Sequence, residues 1–220
     1  MPAIRAVLFD LDGTLYDRDA AMSAVAHDQF AVFRDRLQHV EETRFAGRLL
    51  DLDDHGYARR TDLYQRLAIE LGLDETLAAD LESSFRNSYM RRCEVADDTW
   101  TTLRALRSAG QKLGVITNGP TNWQMAKLEA LGMADVFDVV LVSETEGVSK
   151  PDPRIFARAL ERIGVAADMA MFVGDHPEID VAGARDAGLV PVWKRVPYWT
   201  LTLDDVLVVD RLSEILPITR

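Results

Sequence analysis

The chain is poor in the residues that would mark several common classes of protein. One cysteine, Cys93, stands in 220 residues, so no intramolecular disulfide can form. No motif surrounds that thiol, which is expected to be buried and inert rather than nucleophilic. No apolar run approaches the ~20 residues of a membrane span, and the amino terminus lacks a signal-peptide core. A cytoplasmic location with no membrane partner is therefore expected. Positive charge is scarce: 25 Lys and Arg stand against 36 Asp and Glu, a net charge of -11. A nucleic-acid scaffold, which needs a basic face to neutralise phosphates, does not fit that balance. A small phosphorylated ligand does, because a local cation can reverse the field of the whole protein. Internal repeats and low-complexity tracts are absent.

What is present is a series of short, nearly continuous apolar runs bounded by turn or cap residues. They are Ala6 to Phe9, Leu113 to Ile116, Val139 to Val142, Met171 to Val173 and Leu189 to Trp193, with a sixth candidate at Val206 to Val209. Runs without polar alternation predict strands covered on both faces, as in a parallel sheet. Amphipathic helices are predicted between the later ones, over Thr99 to Ala109, Thr121 to Leu131, Pro153 to Ile163 and Ile179 to Ala187. The alternation predicts an α/β doubly wound, Rossmann-like core.

The gap between Phe9 and Leu113 far exceeds the dozen or so residues that a parallel crossover needs. Its apolar spacing is helical throughout, over Ala20 to Leu37, Glu41 to Leu50, Arg59 to Leu71 and Thr76 to Arg92. An inserted helical domain is expected over residues 17–96, with the catalytic core made of residues 1–16 and 97–220.

In open α/β sheets, ligands bind outside the carboxyl ends of the strands. This places Asp10 and Asp12, Thr117-Asn118-Gly119, and Gly174-Asp175 on one edge, with Asp180 about a helical turn further on. Carboxylates so close repel one another, and a hard divalent cation such as Mg²⁺ relieves the repulsion while leaving positions for water and phosphate. An aspartate can attack phosphorus to form an aspartyl-phosphate. Asp12, two residues on from Asp10, can protonate the leaving alcohol and later activate water. Thr117 offers a hydroxyl and Asn118 and Gly119 offer amides to phosphate oxygens, while Lys150, ahead of Pro151 and Pro153, supplies a fixed cation.

These residues in this order resemble the haloacid dehalogenase-like hydrolase superfamily, on Asp10-Leu11-Asp12-Gly13-Thr14-Leu15, Thr117-Asn118-Gly119, Lys150-Pro151 and Gly174-Asp175-His176-Pro177-Glu178-Ile179-Asp180. The insertion after the first motif looks like the family's C1-type helical cap. The resemblance implies Asp10 as nucleophile, Mg²⁺ held by Asp10, the Asp12 carbonyl and Asp175, and Asp180 supporting the metal or orienting Lys150. It also implies a phosphatase rather than a dehalogenase, since a halide leaving group needs no second acid. The motifs look closest to the phosphoglycolate-phosphatase and nucleotidase side, whose substrates are small phosphorylated metabolites.

Plainer readings stand beside these. Asp-x-Asp-Gly alone is as easily a turn, Lys150 alone a surface lysine, and Asp180 a helix N-terminal acid. His176 is expected in a structural part, and Trp193, Tyr198 and Trp199 in packing or a subunit contact. A phosphoacceptor or binding module could use a similar set of acids, Thr and Lys. Such modules are single compact units, which the helical insertion argues against.

Overall fold

The computed structural model describes residues 3–58 and 60–219, and the chain divides into two compact units, residues 1–16 with 95–220, and residues 17–94.

The first unit is built on a six-stranded, all-parallel sheet in the order β3-β2-β1-β4-β5-β6. The strands are β1 (Ala6–Phe9), β2 (Lys112–Thr117), β3 (Val139–Val142), β4 (Ala170–Gly174), β5 (Val190–Lys194) and β6 (Leu207–Val209). Every residue of β1 and β4 is buried, as their unbroken apolar sequences predict for strands covered on both faces. The chain steps outward one way from β1 to β3 and the other way from β4 to β6, so the order reverses between the neighbours β1 and β4. That reversal opens a crevice at the carboxyl ends of these two strands, the usual ligand position in such sheets.

Helices α5 (Asp97–Ser108), α6 (Thr121–Ala130), α7 (Ser143–Glu146) and α8 (Pro153–Ile163) belong to this unit. Helix α8 has clear start and stop signals. The Asp152 side chain accepts from the Arg154 N–H, Pro153 supplies a preset first turn, and Gly164 closes the helix in the left-handed conformation at φ +70°. Its Ile155, Phe156, Ala159 and Leu160 pack on Leu8, Ile116, Leu141 and Phe172 of the sheet, with the Phe156 and Phe172 rings edge to face at 5.0 Å. The expected helix over Ile179 to Ala187 is different. It is a π-helical turn at Pro177–Ala182 followed by the short α9 (Gly183–Asp186). The Asp180 side chain turns back to accept the His176 N–H at 3.0 Å, and π turns of this kind gather at functional sites.

The second unit is all helical: α1 (Arg18–Val32), α2 (Glu42–Asp53), α3 (Arg60–Leu71) and α4 (Glu75–Arg92). It ends at Glu94 rather than at residue 96. Helix α1 packs on α2 and α4, and α3 packs on the same two. Asp17 and Asp74 cap α1 and α4 by accepting from Ala20 and Leu77 N–H groups. The interior holds Phe30 against Phe45 and a chain of Tyr64, Phe85 and Tyr89. Cys93 is buried, and its thiol donates to the Tyr89 carbonyl. No helix among the described residues is long and apolar enough to cross a membrane.

Candidate active site

Asp10 follows directly on β1, and its N–H donates to the Val173 carbonyl at 2.9 Å, so it stays in the sheet's register at the crevice. The next residues turn sharply, with the Leu15 N–H bonding the Leu11 carbonyl at 3.0 Å. Gly13 sits in this turn at φ +78°, and a Cβ there would lie 2.8 Å from the Asp175 carboxylate, so both the backbone and the crowding call for glycine. Asp175 follows β4, with its backbone carbonyl accepting from the Trp193 indole at 2.8 Å. Its carboxylate accepts from the Tyr198 hydroxyl at 2.8 Å and the Thr14 hydroxyl at 3.4 Å. Gly174 leaves room for Asp180, whose carboxylate carbon a Cβ would meet at 2.4 Å.

Lys150 ties the edge together. Its Nζ donates to Asp10 Oδ1 at 2.5 Å and to Asp180 Oδ1 at 2.7 Å, and it lies 5.3 Å from the centre of the Phe172 ring. Burial alone would lower the Lys150 ammonium, but Asp10 and then Asp180 outweigh it and hold it above its ordinary value. Asp180 is therefore a buried partner of Lys150, not a solvated acid serving the helix dipole.

Carboxylate oxygens of Asp10, Asp175 and Asp180 all lie within 4.8 Å of one another, and all three residues are buried. Burial pushes the Asp10 carboxyl well above the usual range; Lys150 opposes this, while Asp180, Asp175 and Asp12 add to it. Asp175 is pushed up to about 7, first by burial and then by Asp180, with the Tyr198 hydroxyl pulling the other way. Three acids around one lysine lack positive charge, and their donors are all hard oxygens. The set fits a divalent cation of the Mg²⁺ type.

The Asp12 side chain is engaged elsewhere. Its oxygens accept from Lys127 Nζ at 2.6 and 2.7 Å, from Gln124 Nε2 at 3.1 Å and from the Tyr16 hydroxyl. Thr117 ends β2 almost fully buried; its oxygen accepts from Gln124 Nε2 at 2.5 Å and so keeps its own proton to donate. Asn118 and Gly119 meet protein partners instead of open space. The Asn118 side chain donates to the Lys150 carbonyl and accepts the Lys150 N–H, both at 2.9 Å, and the Gly119 N–H donates to the Ser143 hydroxyl at 2.9 Å. In this arrangement the Asn118 side chain fixes the Lys150 loop.

Sequence reasoning passed over Lys127, Gln124 and Tyr16, and it read Tyr198 for packing or a subunit contact, whereas its hydroxyl meets Asp175. Gln124 and Lys127 stand three residues apart on α6, on the face that buries Leu128. His176 has a structural part, since its Nδ1 accepts from the Glu178 and Ile179 N–H groups and its ring meets Trp199 edge to face at 4.7 Å. Burial lowers its imidazole below the ordinary value.

The family model of the haloacid dehalogenase-like hydrolases matches residues 4–188. The chain is 33% identical over 230 residues to the glyceraldehyde 3-phosphate phosphatase of Methanopyrus kandleri, spanning 99% of this chain and 97% of that one. It is 35% identical over 198 residues to the ribulose-1,5-bisphosphate 5-phosphatase of Halopiger xanaduensis, spanning 85% and 83%. The solved structure of a 2-haloacid dehalogenase from Pseudomonas syringae pv. Tomato DC3000 superposes with a TM-score of 0.64 at 30% identity, over 98% of this chain and 97% of that one.

Proposed function

Since the chain belongs to the haloacid dehalogenase-like hydrolase family and is a phosphatase of that family, we propose that it hydrolyses a small phosphorylated metabolite through covalent attack by Asp10. The observation that carries the mechanism is the Asp10–Lys150–Asp180 chain meeting Asp175 at the switch point of the sheet.

Asp10 is the nucleophile. One of its carboxylate oxygens bonds to phosphorus as the ester P–O bond breaks, and Asp12 gives its proton to the departing alkoxide. Asp12, now a carboxylate, then takes a proton from water; the hydroxide attacks the aspartyl-phosphate, releasing phosphate and restoring Asp10. Lys150 and the Thr117 hydroxyl bind the phosphoryl oxygens, and the Asn118 side chain keeps the Lys150 loop in place. Mg²⁺ would be held by Asp10, Asp175 and the Asp12 carbonyl, with Asp180 alongside, and would supply charge neutralisation for the phosphoryl group. The helical unit is read as the family's cap, the part that selects the leaving group, and the cytoplasm as its setting.

The similarity to a 2-haloacid dehalogenase makes halide displacement the second reading. The presence of a second acid at Asp12 supports the phosphatase reading, because an alcohol leaving group needs a proton and a halide does not. The test is turnover of 4-nitrophenyl phosphate with Mg²⁺. Asp10→Asn should lower kcat by ~10⁴-fold or more, and chelation should abolish turnover until Mg²⁺ is restored. Retained turnover in Asp10→Asn, or halide release from a 2-haloacid with no phosphatase activity, would sink the proposal.

A further inference from the structure

Asp12 must present one carboxyl oxygen first to the leaving group and then to water, so its side-chain torsions cannot be left free among their staggered wells. Three donors converge on it. The Lys127 ammonium reaches both oxygens at 2.6 and 2.7 Å, Gln124 Nε2 reaches Oδ2 at 3.1 Å, and the Tyr16 hydroxyl reaches Oδ1. Lys127 and Gln124 are only 5% and 2% exposed, although both are residues that ordinarily sit in water.

A lysine withdrawn from solvent against a carboxylate is a poor stabilising device, because the desolvation penalty offsets much of the attraction. A merely structural position would accept an apolar side chain. Gln124 extends the arrangement, since the same Nε2 lies 2.5 Å from Thr117 Oγ1 and 2.7 Å from the Asn118 carbonyl. One face of α6 thus fixes Asp12 relative to the phosphate-binding end of β2.

Resting on the phosphatase reading above, we propose that Lys127 is a positioning residue for the acid–base Asp12, with Gln124 registering that carboxylate against Thr117. Lys127 does not touch the substrate. It acts by holding the Asp12 carboxylate in one rotamer, so its loss should weaken the steps that need Asp12 and spare those that do not.

Two aryl phosphates separate these cases. 4-Nitrophenolate departs with little help from an acid, whereas phenolate needs a proton. For Lys127→Met, kcat/KM on phenyl phosphate should fall about tenfold more than on 4-nitrophenyl phosphate, with Asp12→Asn showing the same split more strongly. Lys127→Arg, which keeps a charged donor, should recover part of the loss. In an Asp12→Asn background, adding Lys127→Met should change either rate by no more than about twofold, because the residue acts only through Asp12. This double variant also removes the carboxylate that Lys127 neutralises, so it remains informative if Lys127→Met alone does not fold.

Equal losses on both substrates, or a further loss in the Asp12→Asn background, would overturn the inference and leave the phosphatase reading standing. A wild-type protein that turns over neither substrate, or an Asp12→Asn protein without the split, would overturn the reading itself and the inference with it.

Discussion

The helical unit and the sheet edge both bury charged side chains, but they balance them differently. In the helical unit the buried charges form a matched pair: Arg18 donates to Asp53 at 2.6 and 2.9 Å, both side chains less than 10% exposed. Ion pairs such as Arg48 with Glu70 and Asp51 lie at the surface. At the sheet edge, Asp10, Asp12, Asp175 and Asp180 share two lysines, Lys127 and Lys150. A matched buried pair leaves no net charge for a ligand to complete. The unmatched cluster raises the Asp10 and Asp175 carboxyls, a state that is tolerable where a cation and a phosphoryl group complete the site.

Breaking the matched pair should have the largest effect on stability. Arg18→Met leaves Asp53 buried without its partner and should lower the unfolding free energy by about 3–5 kcal/mol in denaturant titration. Arg48→Ala, which opens only exposed pairs, should stay within about 0.5 kcal/mol. Similar values for the two would mean that burial does not separate the pairs.

The unmatched cluster predicts a smaller, pH-dependent response to metal. Asp175 is pushed up to about 7 and Asp10 is raised in the same direction, both above the ordinary carboxyl value near ~3.9. A raised folded-state pKa contributes stability that is complete below the unfolded value and lost as pH climbs toward 7. The metal-free protein should therefore lose stability from about pH 4 to 7 through these groups. Mg²⁺ binds the deprotonated acids, so its stabilisation should be greater at pH 8 than at pH 5.5. At a hundredfold excess over Kd the gain is ~2.7 kcal/mol, which raises Tm by roughly 5–10 °C. A Tm shift of equal size at both pH values would break the link between the raised acids and metal binding.

Much of this edge was legible in the chain. The strands announce themselves as short apolar runs ending in Asp10, Thr117 and Gly174-Asp175, and the rule for open α/β sheets brings those ends together. The helical insertion is legible from its spacing. What escaped was set by tertiary proximity rather than by pattern. Lys127 and Gln124 read as ordinary helix formers within α6, and only the pairing of β1 with β2 brings that helix to Asp12. Tyr198 lies in the connection between β5 and β6, beyond the residues that the family model matches. The Asp180 turn reads as a regular helix, because nothing in its periodicity shows that its side chain reaches back to His176 and Lys150.

Covalent attack requires that Asp10 become phosphorylated during turnover. Acid quench during turnover of 4-nitrophenyl phosphate with Mg²⁺, followed by borohydride reduction and peptide mass spectrometry, tests it most directly. One modified residue per chain is expected, Asp10 converted to homoserine as hydride reduces its acyl carbon and phosphate leaves, and in greater amount in Asp12→Asn, where water is not activated. Label on another residue, or turnover with no trapped intermediate in either protein, would contradict it.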